Sequence, residues 1–173
     1  MKAFPPIVVV PYDPEWPARF EAERAVLEDV LSPWLKGGIH HIGSTAVAGL
    51  AAKPIIDMMA GVRDLEAARA ADEPLAAIGY VHEPHRPTIA HHFAKHAARG
   101  QTTHGLHLTE PGSDLWQERL VFRDALRADA SLAAEYEALK LALARDRVDD
   151  YTGAKRPFVA EVLARYGLQP GRR

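Results

Sequence analysis

Cysteine is absent from this 173-residue chain, so a disulfide frame, a zinc ribbon and thiol catalysis are all excluded, and a reducing, cytoplasmic setting is the natural expectation. Net charge is nearly absent too. Lys and Arg number 21 against 23 Asp and Glu, a formal balance of -2, which argues against a protein that holds nucleic acid chiefly by releasing counterions. Long apolar runs are missing. Nothing approaches the roughly 20 residues of a membrane span, and Ile7–Val10 is too short for the core of a signal sequence, so no membrane partner is expected. A P-loop is missing as well: after Gly43 the next glycine, Gly49, comes one place late, and Leu50 stands where the motif needs lysine.

What the chain does carry is His41-Ile-Gly-Ser-Thr-Ala-Val-Ala-Gly-Leu-Ala-Ala-Lys-Pro-Ile-Ile-Asp57, a glycine–serine turn that leads into an apolar strand bearing one carboxylate. Gly43, Ser44, Thr45 and the small residues up to Gly49 let backbone N–H groups approach an anion, and a helix start just beyond would add its dipole. The same residues also suit a plain strand-to-helix connection capped by Ser44 or Thr45. Asp57 is costly inside a buried strand unless a metal, a cation or several donors meet it. Lys53, between turn and strand, serves either a phosphate or solvent.

Around this segment, Ile7–Val10 reads as an edge strand or extended arm, and Trp16, Phe20, Leu27 and Leu31 recur at helical spacing, with Pro33 and Gly37-Gly38 closing the element. Ile39–Ile42 and the Asp57 segment up to Val62 are expected strands. Asp64 is expected to cap a helix interrupted by Pro74, and Tyr80–His82, Thr88–Lys95 and His104–Thr109 alternate as further strands. After Gly112 the pattern is helical: Leu115, Phe122 and Leu126 form one stripe, Leu132, Tyr136, Leu139 and Leu143 a second, and Phe158, Val162 and Tyr166 a third, with a loop at 149–153. The expected class is α+β: one domain over 1–173, a small mixed sheet flanked by helices over about 1–112, and a helical part over about 113–173.

Read in order, Tyr12-Asp-Pro-Glu-Trp-Pro17, His41 to Val47, Gly49 to Asp57, Gly79-Tyr80, Leu106-His107, Phe122-Arg-Asp124, Tyr136 with Leu139-Lys140, and Tyr151 with Lys155 resemble the GrpB family over nearly the whole chain. Ala48 departs from it, where the family usually carries proline. That family is a branch of the nucleotidyltransferase-fold superfamily, so the resemblance implies a nucleotidyltransferase-like sheet with Gly43-Ser44 on the turn after its first strand. Active enzymes of the superfamily place two acids two residues apart on the next strand, where both hold catalytic magnesium. Here Met58 and Met59 follow Asp57, so the second acid is missing. Some family members look fused to dephospho-coenzyme A kinase, which points to nucleotide or coenzyme A chemistry.

The expected ligand is therefore a nucleotide or a related phosphorylated small molecule. Gly43, Ser44, Thr45 and Lys53 would hold phosphates, with Arg123, Lys140 and Lys155 folding over the sheet to complete a clamp, unless Arg123-Asp124 only pins its own helix. Asp57 would bind magnesium, with Glu110 as the candidate second ligand, although alternation puts Glu110 on the side of Leu106 and Leu108. His41 and His107, on family-matched strand positions, are expected in the pocket as base or ligand, whereas His82, His85 and His91 read as surface or hydrogen-bonded histidines. His92 and His96 share a face on helix or strand and offer an alternative zinc or nickel site, while His104 and His107 have opposite parity. If catalytic, the protein would be a metal-dependent nucleotidyltransferase; the alternative is a non-catalytic nucleotide-binding or partner module that lost the acid pair.

Overall fold

The computed structural model describes residues 7–84 and 89–170. Pro17 in the first turn starts α1 (Trp16–Leu31), which turns Trp16, Phe20, Leu27 and Leu31 to the interior. The sheet is built from β1 (Leu35–Ile42), β2 (Ile56–Val62), β3 (Tyr80–His82), β4 (His91–His96) and β5 (Thr102–Thr109), in the order β1-β2-β5-β4-β3. β2 and β5 run parallel, and every other neighbouring pair is antiparallel. The N-terminal arm touches this frame through one bridge, Val10 to Ala52.

Strand alternation sorts the sheet into two unlike faces. Met58, Ala60 and Val62 of β2, Leu106 and Leu108 of β5 and Phe93 of β4 form one core with α1 and with the segment that carries Ala68 and Leu75. Fully burying an apolar side chain of this size is worth about 2 kcal/mol, so this face supplies much of the sheet's stability. The opposite face presents Asp57, Met59 and Gly61, with Gly105 and His107 beside them in register. Asp57 is the only residue of β2 that is not fully buried.

The C-terminal helices α3 (Asp114–Ala128), α4 (Ala130–Arg145), α5 (Tyr151–Ala154) and α6 (Arg156–Arg165) make a second core. Ala125, Leu126, Leu132, Tyr136 and Val162 there enclose Val47 and Leu50, which project from the connection between β1 and β2. The glycine turn is therefore gripped by the helical part.

Several boundaries differ from the periodicity. Gly37 and Gly38 do not end the first helical element; they lie inside β1 with φ of 98° and 79°, where the register to β2 shifts between Leu35 and Ile39. Glycine is needed opposite too, because a Cβ on Gly61 would come within 2.2 Å of the Lys36 carbonyl. Pro74 does not interrupt a helix but sits in the first turn of α2 (Asp72–Ala77), after a separate 3₁₀ segment, Ala67–Ala71, that Asp64 caps through the Ala67 N–H at 2.9 Å. The expected strand from Thr88 begins at His91; Thr88 and His85 lie outside the described residues. The expected loop at 149–153 contains the single turn α5, capped by Asp150 on the Gly153 N–H at 2.7 Å. Tyr166 is exposed, and α4 buries Lys140 rather than Leu143.

A polar tie secures α1 to the far half of the sheet. Glu23 accepts from Tyr80 Oη at 2.8 Å and from Lys95 Nζ at 2.5 Å, with His104 Nε2 at 4.0 Å. Burial pulls the Glu23 carboxyl upward, but the hydrogen bonds from Lys95 and Tyr80 and the charges of Lys95 and His104 outweigh it and hold the group below the usual carboxylate range. Its contribution is thus present above the unfolded value and lost as pH falls through the lower folded one. Glu23→Gln is expected to cost about 2 kcal/mol at pH 7 in urea unfolding and to flatten the loss of stability below about pH 4.5. An unchanged midpoint at pH 7 would contradict this account.

Candidate functional site

The turn after β1 is fixed before any ligand is considered. Gly43 takes φ 74°, and Ser44–Ala46 forms one 3₁₀ turn. Thr45 is buried under it. Its hydroxyl donates to the Ile55 carbonyl at 3.2 Å, so at 2.8 Å it must accept from the Nε2–H of His41, which fixes that imidazole in its Nε2-protonated tautomer. His41 also stacks on Phe20 of α1, with ring centroids 4.7 Å apart. Its strand partner Met58 confirms the side: His41 faces the α1 core, away from Asp57.

Three arginines at four-residue spacing on α3 follow the same segment. Arg123 donates to the His41 carbonyl at 3.1 Å and Arg127 to the Ala46 carbonyl at 2.8 Å, while the charge of Arg119 bears on Asp57. From α4, Glu137 accepts the Ala51 N–H at 2.6 Å and Lys140 donates to the Ala51 carbonyl. These contacts correct four expectations. His41 and Thr45 form an internal latch, Arg123 caps a strand carbonyl, and the buried Lys140 clamps backbone, so none of these hydrogen bonds is directed at Asp57. Burial holds Lys140 near 8, against the opposing pull of Glu137.

What remains gathers around Asp57. The Asp57 carboxylate lies between two glycines: a Cβ on Gly43 would stand 3.0 Å from Oδ2, and one on Gly105 would stand 2.6 Å from Oδ1. Desolvation raises its proton affinity, and Arg119, Lys53 and Lys155, in that order, pull it back. Lys155 and Lys53 both press on the buried ring of Tyr151, at 4.3 and 5.2 Å from its centroid. Burial and then the neighbouring charge of Lys53 bring Lys155 down to about 8, with Asp57 opposing. Ser44 lies within hydrogen-bonding reach of the Tyr136 phenol, which burial pushes up to about 12.

Of the expected set, Gly43, Ser44, Lys53, Asp57 and Lys155 converge. His107 shares their face of the sheet but sits beyond Gly105, tilted against the ring of His92 at 4.6 Å. Glu110 does not converge: it accepts the Leu65 N–H at 3.0 Å, five residues past Gly105 along β5. At about 3.3 Å per residue that places it some 16 Å from the level of Asp57. His92 and His96 are bridged by Glu83, at 3.5 and 3.6 Å, and His104 belongs to the Glu23 tie on the other face. Arg119, Tyr136, Tyr151 and Gly105 were missed as site residues. The Arg119–Arg123–Arg127 spacing was the signal available for the first.

Magnesium is a poor match for these donors. It requires near-octahedral oxygen coordination, usually with more than one carboxylate or with substrate phosphates. Here Asp57 is flanked by three cations, Met59 stands two residues on, and among the described residues no group of three carboxylate or imidazole side chains is arranged to hold a metal ion. No helix among them is long and apolar enough to cross a membrane.

A mixed sheet with a glycine–serine turn above a strand acid is the nucleotidyltransferase-like fold. The structure of Cid1 in complex with its short product ApU shares it, with a TM-score of 0.55 at 15% identity over 82% of this chain and 45% of that chain, a likeness of fold alone. The GrpB protein family model matches residues 6–165, and the chain belongs to that family. The conserved protein GrpB from Enterococcus faecalis superposes with a TM-score of 0.81 at 30% identity, over 92% of this chain and 99% of that one. The glutamate-rich protein GrpB of Alkalihalophilus pseudofirmus is 35% identical over 91% of this chain and 94% of its own length. The UPF0157 protein YqkA of Bacillus subtilis is 34% identical over 88% of this chain, which spans only 45% of that protein. A dephospho-CoA kinase of Mycolicibacterium paratuberculosis is 32% identical, and the chain spans 46% of it.

The His41 latch carries a pH prediction. Burial, then the charges of Arg127 and Arg123, bring this imidazole from 6.5 down to about 4. A depressed histidine is stabilising above its unfolded value and loses that contribution as pH falls through the folded one, so stability should drop between pH 6.5 and 4. In urea unfolding, His41→Gln is expected to remove on the order of 2 kcal/mol of that acid-side loss. Equal slopes for the two proteins would show that the latch does not titrate as described.

Proposed function

We propose that this protein binds a nucleotide or a related phosphorylated small molecule beside Asp57, between the glycine turn and the C-terminal helices. One observation carries the reading: Lys53, Arg119 and Lys155 surround a single carboxylate, leaving positive charge that only an anion relieves. Phosphate oxygens suit this set, because guanidinium gives a planar fork and two ammonium groups give point charges, while Ser44 and the backbone at Gly43 lie at the same rim. The dephospho-CoA kinase among the relatives makes coenzyme A precursors reasonable ligands to try beside nucleoside triphosphates.

Nucleotidyl transfer is a second reading. It draws on Asp57, which occupies the first-acid position on the strand after the turn, and Met59 weighs against it because it leaves the acid pair incomplete. Binding without transfer is the better-supported function.

A thermal-shift panel of nucleoside triphosphates and coenzyme A precursors, followed by calorimetry, tests the proposal. A true ligand at about 100 times its Kd should add about 2.7 kcal/mol, a rise in Tm of roughly 5–10 °C for a chain of this size. Lys155→Met should weaken that ligand at least tenfold. A panel in which nothing shifts, or a variant that binds as well as the parent, would remove the basis for the proposal.

A further inference from the structure

The fold leads one to expect a divalent ion between the strand acid and the ligand's phosphates, yet the charges around Asp57 are those of an anion receptor. We propose that this site holds the phosphates of its ligand directly on Lys53, Arg119 and Lys155, with no divalent metal ion bridging ligand and protein. This rests on the phosphate-ligand reading above and specifies how that ligand is recognised.

Three observations carry it. The first is the donor set: one carboxylate, a methionine where its partner acid would stand, and Gly105 and then His107 on the adjacent strand, with no trio of metal-ligating side chains among the described residues. Glu110, the candidate second ligand, and Glu137 of α4 are committed to the backbone N–H groups of Leu65 and Ala51.

The second is placement. Lys53 and Lys155 stand over one buried phenol ring, Tyr151, with their ammonium nitrogens 5.2 and 4.3 Å from its centroid. Like charges pinned side by side repel, and a dication added to three cations and one carboxylate compounds that repulsion; a di- or triphosphate cancels it.

The third is the position of the carboxylate itself. Its two oxygens lie over Gly43 and Gly105, so backbone fills two of its sides. Asp57 is thus a competing counter-charge for Lys53, Arg119 and Lys155 rather than a metal ligand.

Calorimetry on the full chain with inorganic triphosphate and with ATP, in EDTA and in excess magnesium or manganese, decides the matter. The expected result is an affinity in EDTA within about twofold of that with metal, or tighter, and a strong weakening as salt is raised. Asp57→Asn, which removes one negative charge at nearly constant shape, should keep or tighten triphosphate binding several-fold, while Lys53→Met should weaken it at least tenfold. A tenfold or greater loss in EDTA that magnesium or manganese restores would overturn the inference while leaving the phosphate reading intact. Loss of binding by an Asp57→Asn protein with native circular dichroism would also overturn it. Absence of binding under every condition would overturn the phosphate reading and this inference with it. The EDTA comparison uses the parent protein, so it holds even if a variant fails to fold.

Discussion

A single half-buried carboxylate sets the terms for everything around it. Asp57 is the one break in an otherwise buried strand, and its oxygens fit only because Gly43 and Gly105 have no side chains. A carboxylate there is stable only when cations face it, which the chain answers with Arg119, Lys53 and Lys155. Those three come from a helix, the strand's own approach and the last short helical turn, so the C-terminal helices cannot be separated from the sheet without exposing the acid. By formal count three cations face one carboxylate, and the proposed phosphate binding rests on that surplus.

The turn above the acid is fixed by polar contacts rather than by shape alone. His41 and Thr45 hold it from the α1 side, Arg123 and Arg127 from α3, and Glu137 with Lys140 from α4, each ending on a backbone group or on a partner in the latch. A turn with many small residues has high conformational entropy to lose, and these contacts offset it within the protein itself.

Much of this was legible from sequence, for reasons that mark its limits. Gly43-Ser44 and Asp57 stood out because glycine turns and strand acids break local rules that ordinary elements obey, and Lys155 came with the family resemblance. Arg123 and Lys140 were picked out beside them because a cation on a helix looks alike whether it meets a phosphate or a carbonyl. Periodicity cannot separate those fates. His41 was misassigned for a different reason: its position on the strand was right, but only the register with Met58 says which face it takes. Arg119 was overlooked because its four-residue spacing from Arg123 and Arg127 marks a helix face and not what that face meets, which is settled only once α3 is laid across the sheet.

The absent acid is likewise a matter of the whole face, not of one codon. Met59 is completely buried, its register partner His40 lies edge-on against Trp116 of α3 at 5.0 Å, and a Cβ on Gly61 would meet that same indole at 3.0 Å. The helix closes the sheet just where a second carboxylate would need water or a metal ion. An acid placed at that position would be desolvated in a strand packed close to an aromatic ring. Restoring a metal-binding pair would therefore require lifting the start of α3 as well as changing residue 59, which makes the single acid and the covering indole parts of one arrangement.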